Sequence, residues 1–165
     1  MPKKANISRV LDDRDRRILA LVQRDSRLAQ AEIARRVGLS AAAVNERLKK
    51  LENAGVIRRF GAVVDPHAVG AEITAFVEVF IDQPRLEPGF IEKVLKLDEV
   101  QECHHITGEF SLLLKVRVTD MQSLQDLLIH RLSAHEGVRQ TRTIIVLSTL
   151  KEESFVPTAA RGETP

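Results

Sequence analysis

The side chains best equipped for chemistry lie between residues 35 and 59, where basic groups surround the amide of Asn45. Lys and Arg side chains neutralise phosphate groups, and the Asn45 amide can pair with an adenine edge through two hydrogen bonds. Arg47 can reach a phosphate or pair with a nearby acid, while Ala42 and Ala43 offer only methyl contacts. The pattern therefore predicts a DNA-contacting surface with Asn45 as its base reader. The candidate residues are Arg35, Arg36, Ser40, Ala42, Ala43, Asn45, Glu46, Arg47, Lys49, Lys50, Arg58 and Arg59.

These side chains need elements that position them, and residues 30–54 supply two short helices joined by a tight turn. Gly38 can adopt the positive φ that the turn requires, and Ser40 is a good N-cap for the second helix. Apolar side chains recur at helical spacing in both helices, at Ile33, Ala34, Val37, Val44, Leu48 and Leu51. This spacing is typical of a helix-turn-helix, whose second helix enters the major groove of DNA. An ordinary helical hairpin is the alternative interpretation.

The net charge of +2 conceals an uneven distribution of charge along the chain. Residues 1–65 contain fifteen Lys or Arg against eight Asp or Glu, a net charge of +7. Residues 66–165 contain ten against fifteen, a net charge of −5. The basic half has the charge of a phosphate-binding module, with a solvated basic face as the alternative. Apolar runs of ~20 residues, which a membrane span needs, do not occur, and the single Cys103 favours a reducing cytosol.

The apolar pattern changes from helical to strand spacing at about residue 73. We predict a helix-turn-helix domain over 1–61, a linker over 62–72, a second domain over 73–150 and a flexible tail over 151–165. Residues 56–64 are predicted to be extended, either as a wing or as a connecting strand. A first helix from Asp12 or Asp13 to about Asp25 completes the three-helix core of the first domain.

The second domain is predicted to follow the order strand, helix, strand, and then to repeat it. Strands are expected at 74–82, 100–107, 111–118 and 138–147, and helices at 90–97 and from the Asp120 N-cap to about Leu132. This order is the ferredoxin-like plan, in which both helices cover one face of an antiparallel sheet. Several strands are apolar on both faces, which predicts association with a second copy through the helix-free face. The fold class is thus α+β, a winged-helix-like helix-turn-helix domain followed by a ferredoxin-like βαββαβ module.

Cys103, His104 and His105 form the one run of residues whose types suggest metal binding or nucleophilic catalysis. On a strand, Cys103 and His105 point to one face and His104 to the other. Two ligands on one face are too few for a structural zinc site, which needs four. We therefore expect a structural or pocket-lining role, with no metal site, no catalytic residue and no cofactor.

The order and spacing of several motifs resemble the Lrp/AsnC, or feast/famine, family of transcriptional regulators over roughly residues 11–150. The motifs in the first domain are Leu11-Asp12, Asp15, Ile18-Leu19, Glu32-Ile33-Ala34, Val37-Gly38-Leu39-Ser40, Glu46-Arg47, Leu51-Glu52 and Gly55-Val56-Ile57. Those in the second are Val100-Gln101-Glu102-Cys103-His104, Thr107-Gly108 and Leu113-Leu114-Lys115. The resemblance implies a cytoplasmic, nucleoid-associated regulator that binds double-stranded DNA. It also implies self-association as a dimer and as an octamer or similar ring, and a small effector, commonly an amino acid, bound between subunits.

The resemblance places the effector near the loop 106–111, between the two central strands. The expected effector-binding residues are His105, Thr107, Gly108, Glu109, Phe110, Ser111 and Met121. Members of the family commonly carry an Asp where this chain has Ser111, and an Asp accepts hydrogen bonds from an ammonium group more strongly than a hydroxyl does. Glu109 is the candidate replacement for that anion. A related metabolite, or no effector at all, is the alternative.

Two other functions remain open from the sequence. An architectural nucleoid protein with little sequence preference and no effector is compatible with the outward alanines and with Ser111. A metabolic enzyme built on the ferredoxin-like module is the other alternative, but the sequence contains no general acid–base pair, phosphate loop or complete metal set that supports it.

Overall fold

The computed structural model describes residues 11–158 of the chain, which divide into two compact units. A helical unit contains the residues up to Val63 together with the segment that begins at Glu152, and a sheet unit contains Val64–Lys151. The chain leaves the helical unit at Val63, within the linker that the sequence predicts over 62–72. No helix among the described residues is long and apolar enough to span a membrane.

Three helices form the core of the helical unit: α1 (Asp13–Arg24), α2 (Gln30–Val37) and α3 (Ala41–Asn53). Asp12 and Asp15 form a capping box at the start of α1, in which each side chain accepts a hydrogen bond from the other residue's backbone N–H. Gly38 ends α2 with φ of +67°, and the Ser40 hydroxyl caps α3. The apolar residues predicted to face inward are buried, so the helix-turn-helix geometry is confirmed.

After α3 the chain turns at Gly55 with φ of +69° and then runs without regular structure to a short 3₁₀ helix, His67–Val69. No strand is formed between residues 54 and 72, so neither the wing nor the connecting strand expected over 56–64 is present as a regular element. Backbone groups in a strand need a partner strand, and this segment has none within the described part of the single chain.

The sheet unit has the ferredoxin-like order that the sequence predicts. Its elements are β1 (Ile73–Ile81), α4 (Glu87–Val94), β2 (Val100–His105), β3 (Leu112–Val118), α5 (Met121–Asp126) and β4 (Val138–Ile145). The strands lie side by side in the order β2-β3-β1-β4, and each neighbouring pair is antiparallel. Alternate residues of β1 and β3 are fully buried and face the helices.

Helix α4 begins earlier than the sequence predicts. The predicted helix covers 90–97, whereas Pro84–Leu86 is a 3₁₀ turn and α4 starts at Glu87, with Pro88 in its first turn. Proline is tolerated there because the first N–H groups of a helix have no partner inside the helix. The helix also ends earlier than the predicted residue 97, at Val94, and Leu95 at its C-cap is exposed, while Phe90 is buried in the core.

The second helix of the sheet unit contains a π-helical stretch that the sequence pattern does not reveal. Helix α5 continues directly into Leu127–Leu132, which is π-helical. A π-helix has more residues in each turn than an α-helix, so buried positions in it can lie five residues apart. Leu127 and Leu132 have this spacing and are buried, whereas Leu128, four residues after the buried Leu124, is only half-buried.

The segment that follows the sheet unit, which lies in the predicted tail, makes specific contacts with α1. Backbone groups of Val156 and Thr158 form hydrogen bonds with the Gln23 and Arg16 side chains of α1, and the Thr158 hydroxyl donates to the Arg16 carbonyl. A terminal segment is expected to be poorly ordered unless its backbone has specific hydrogen-bond partners. Here the side chains of Gln23 and Arg16 are such partners. Residues 159–165 of that predicted tail lie outside the described residues, as do residues 1–10 of the predicted first domain.

Candidate nucleic-acid interface and effector loop

The outward face of α3 carries the side chains predicted to meet DNA. Val44, Leu48 and Leu51 are buried, and Val44 and Leu48 pack in the core formed with α1 and α2. The outward face of α3 is the side opposite these three residues. Ala42, Glu46, Lys49 and Lys50 are exposed, and Ala43 and Asn45 are half-buried beside them. Arg58 and Arg59, in the irregular segment after α3, are exposed as well. The face can therefore offer one amide and several cations to a nucleic acid.

Asn45 accepts a hydrogen bond from Gln30, a residue that is not among the predicted DNA-binding residues. The Gln30 Nε2 group, at the start of α2, donates a hydrogen bond of 3.2 Å to Asn45 Oδ1. This bond favours the Asn45 amide orientation in which Oδ1 faces Gln30 and Nδ2 points away from it. A donor held in one orientation loses less conformational entropy when it binds a base edge. Gln30 was not identifiable from the sequence, because the pairing joins residues fifteen positions apart on two helices.

Arg47 lies between α3 and the start of α1. Its Nη1 group is 2.7 Å from a carboxylate oxygen of Asp12 and 2.7 Å from one of Asp15. Asp15 is buried, with 5% of its surface exposed. The two carboxylates raise the pKa of Arg47, and the pKa of Asp12 is lowered first by the Asp15 backbone N–H and then by Arg47. Of the two roles expected for Arg47, the structure thus shows the pairing with acids rather than an orientation towards a phosphate.

The two Arg side chains of α2 share one carboxylate. Glu32 lies 2.8 Å from Arg35 Nη2 and 2.6 Å from Arg36 Nε, and these hydrogen bonds, with that of Arg35 the larger, lower its pKa to about 2. Both Arg side chains remain largely exposed. Exposed pairs of this kind contribute little stability, so a phosphate group can replace Glu32 as their partner.

The loop 106–111 connects β2 to β3 and is closed by a hydrogen bond of 3.0 Å from Ile106 N–H to the Ser111 carbonyl. Gly108 has φ of +117°, which favours glycine. Phe110 is buried beneath the guanidinium of Arg142, which lies 4.9 Å from the ring centroid. Arg142 also pairs with Glu78, and its pKa is raised mainly by Glu78 and to a smaller extent by Glu109. The loop is therefore ordered around one ring, with Thr107, Gly108 and Glu109 exposed at its tip.

Ser111 uses its polar groups on the protein itself. Its backbone N–H and its hydroxyl both donate to the Val79 carbonyl, at 3.2 Å and 3.4 Å. The hydroxyl is consequently oriented towards β1. It retains lone pairs that can accept a hydrogen bond, but it brings no negative charge to the loop.

The Cys103–His105 run alternates across the sheet as predicted. Cys103 packs against the core, where burial and then Glu87 raise the pKa of its thiol, and His105 Nε2 lies 2.9 Å from Glu87 Oε1 on the same face. His104 lies on the other face, 3.1 Å from Glu102. Across residues 11–158, no three or more His, Cys, Asp or Glu side chains are placed so that they hold a metal ion together.

Met121 is placed apart from the other expected effector residues. It lines a groove on the second helix of the sheet unit together with Gln122, Leu124, Gln125, Leu128 and Ile129, and 57% of its surface is exposed. Residues of the loop 106–111 do not contribute to this groove. Within the described residues of one chain, therefore, the loop and His105 belong to the β2–β3 end of the sheet and Met121 to the helical face.

Comparison with known proteins identifies both units. Residues 11–58 match a model described as winged helix-turn-helix DNA-binding, and residues 74–156 match one described as the Lrp/AsnC ligand binding domain. The leucine-responsive regulatory proteins of Klebsiella pneumoniae and Escherichia coli K12 are each 39% identical over 146 residues, 87% of this chain and 89% of the relative.

Solved structures agree with this assignment. A transcriptional regulator of Neisseria meningitidis in complex with L-Met matches with a TM-score of 0.84 and 34% identity, over 89% of this chain and 96% of that one. E. coli AsnC matches with a TM-score of 0.82 and 29% identity, over 88% and 98%. A feast or famine regulatory protein of M. tuberculosis complexed with L-methionine matches with a TM-score of 0.81 and 34% identity, over 88% and 98%. The chain belongs to the Lrp/AsnC family of DNA-binding transcriptional regulators.

Proposed function

We propose that this regulator reads operator DNA with the outward face of α3 and adjusts that binding to an amino acid or closely related metabolite. The observation that carries the proposal is the Gln30–Asn45 pair, which presents an oriented amide on a face whose other side chains are several cations, small residues and one acid, Glu46. Such a face suits one specific base contact supported by many phosphate contacts. Sequence preference at other positions then comes from DNA deformability.

On the DNA side, we assign the positive groups to the phosphates. Lys49, Lys50, Arg58 and Arg59 are exposed and supply affinity, and Arg35 and Arg36 exchange Glu32 for a phosphate. Ser40, Glu46 and the two alanines border the reading amide. Arg47 is a positioning residue, because its contacts with Asp12 and Asp15 set α3 against α1.

On the effector side, we propose that the loop 106–111 binds the ammonium group of an amino acid through Glu109. Support comes from the exposed carboxylate at the tip of an otherwise ordered loop, and from two structural neighbours that were solved with methionine. Ser111 contributes only its hydroxyl, which Val79 already orients. His105, Thr107, Gly108 and Phe110 shape the same end of the sheet, and Met121 belongs to the site only if a second subunit brings the groove beside it.

We further propose that the protein acts as a homo-oligomer, a dimer that assembles into an octamer or similar ring. Large apolar side chains are exposed on the segment after α3 and on the segment after β4: Phe60, Val63, Val64, Leu147 and Leu150. Stretches of this kind are rarely left in water on a single chain.

Because its partner is chromosomal DNA, we place the protein in the cytoplasm at the nucleoid, with no enzymatic activity.

A thermal-shift screen with amino acids and their catabolites tests the effector assignment. A ligand that binds only the folded state raises the melting temperature by mass action, and the shift should disappear in Glu109→Gln but remain in Glu136→Gln, an exposed acid outside the loop. A flat screen would contradict the effector proposal. Footprinting tests the DNA assignment separately, since uniform protection of any sequence would indicate an architectural protein.

A further inference from the structure

The end of the described chain binds α1 through reciprocal hydrogen bonds. Gln23 Nε2 donates to the Val156 carbonyl at 3.1 Å, and the Val156 N–H donates to Gln23 Oε1 at 2.9 Å. The Gln23 amide therefore satisfies both backbone groups of Val156, as a neighbouring strand would. A side-chain amide is one of the few groups able to do this, because it carries a donor and an acceptor side by side.

Two further contacts extend the interaction along the helix. Arg16 Nη1 donates to the Thr158 carbonyl at 3.3 Å, and the Thr158 hydroxyl donates to the Arg16 carbonyl at 3.1 Å. The Arg24 guanidinium lies 5.8 Å from the centroid of the Phe155 ring, within cation–π range. Arg16 and Gln23 are two helical turns apart and thus lie on one face of α1. The segment 155–158 runs along that face in the direction opposite to the helix.

We propose that residues 155–158 form a strap, a segment whose docking on α1 fastens the DNA-binding unit to the rest of the chain at a second point. The chain passes between the two units twice, after Val63 and again after Lys151. With the strap released, only the irregular connection over residues 58–72, most of which are exposed, limits the freedom of the helical unit. With the strap docked, residues 152–158 form a second anchored connection, which reduces the conformational freedom of the helical unit.

The strap then has a consequence for DNA binding, which rests on the proposed function. A regulator with several subunits binds paired half-sites better when the second binding event has a high effective concentration, and that concentration falls as the connection loosens. Strap release should therefore weaken binding to paired half-sites while leaving binding to a single half-site unchanged. The effect expected is a loss of roughly tenfold for the paired site.

Amide hydrogen exchange, read residue by residue by NMR on the full chain, tests the docking without DNA. In the native protein the Val156 N–H should be protected, and Gln23→Ala should accelerate its exchange by about tenfold or more while the amides of α3 are unaffected. Arg17→Ala, a change at an exposed residue of the same helix, is the control and should leave Val156 protected. Exchange of the native Val156 amide at the rate of an unstructured peptide would overturn the proposal.

A second measurement compares the native chain with Gln23→Ala and with a chain that ends at Lys151, on DNA with one half-site and with two. Both variants should lose affinity for the paired site only, and adding the peptide of residues 152–158 in trans should not restore it, because the covalent connection is missing. Equal losses on both DNAs would overturn the tethering role and leave the strap a stabiliser of the helical unit. Failure of the native chain to bind either DNA would contradict the proposed function instead, while the exchange experiment still decides the docking.

Discussion

At the scale of single residues, the tertiary structure separates side chains that look equivalent in the sequence. Arg47 and Lys50 are both basic residues of α3, yet Arg47 bridges two carboxylates at 2.7 Å whereas Lys50 is exposed. Asn45 is held by Gln30 and so differs from a freely rotating amide. Side chains of the same helix thus divide into those whose contacts hold the helix in place and those that are exposed and available to a ligand.

Asn45 and Lys49 should respond differently to replacement by Ala. Lys49→Ala removes a phosphate contact, so it should weaken binding about equally on all sequences and reduce the slope of log K against log salt by about one. Asn45→Ala should relax preference at one base position by about 1–3 kcal/mol. Gln30→Ala should reproduce part of that relaxation. Selection from random DNA measures the preference, and an equal loss on all sequences for Asn45→Ala would contradict its role as a reader.

Arg47→Ala should destabilise the helical unit, because it leaves the buried Asp15 carboxylate without its charged partner. We expect a decrease of about 1–3 kcal/mol in the free energy of unfolding, measured in urea. Lys50→Ala, which lies on the same helix, is the control and should change stability little. Comparable stability of the two variants would show that Arg47 does not position α3.

The same ion pairs predict a dependence on pH with a definite sign. The folded-state pKa of Asp12 is lowered, chiefly by the Asp15 N–H and then by Arg47, so its stabilising contribution is complete above the unfolded pKa near 3.8 and is lost as pH falls below it. The stability difference between the native chain and Arg47→Ala should therefore shrink from pH 5 towards pH 2. A difference that grows with acid would contradict this account.

At the scale of elements, the π-helical stretch after α5 decides which leucines form the core. Leu127 is 1% exposed, and Leu128, the position that a regular α-helix would bury, is half-buried. Ile129, within the π-helical stretch, lies on the outer surface and lines the groove. Helical periodicity in a sequence assumes a constant angle between residues, and a single π turn breaks that assumption.

This register can be tested with two neighbouring substitutions. Leu127→Ala should reduce the free energy of unfolding by about 2–5 kcal/mol, the usual loss for a leucine deleted from a packed core, and Leu128→Ala should cost clearly less. Denaturant unfolding of both variants gives the comparison. A larger loss at Leu128 would indicate a regular α-helix instead.

At the scale of the whole molecule, two features are relevant to assembly: the uneven distribution of charge along the chain and the exposed apolar segments. The basic excess lies in the unit that contains the helix-turn-helix, and the acidic excess lies in the sequence that forms the sheet unit. The apolar segments after α3 and after β4 are exposed on a single chain. Covering them with a second copy removes apolar surface from water, which supports association.

Val63→Asp should dissociate the proposed assembly. Val63 is 93% exposed in the single chain, so the substitution costs little there, but a charge buried between subunits without a partner is strongly unfavourable. Sedimentation velocity should show a smaller species, with Val63→Leu as the apolar control. An unchanged sedimentation coefficient would place the segment outside the interface.

The sequence by itself determined the helix-turn-helix, the ferredoxin-like strand order and the family, because these depend on local periodicity, turn residues and motif spacing. The tertiary structure alone decided the roles of Arg47, Gln30, Leu127 and the strap. Asp15 is 32 residues from Arg47 in sequence, and Gln23 is 133 residues from Val156. No local pattern encodes partners so far apart, since they meet only after the chain has folded.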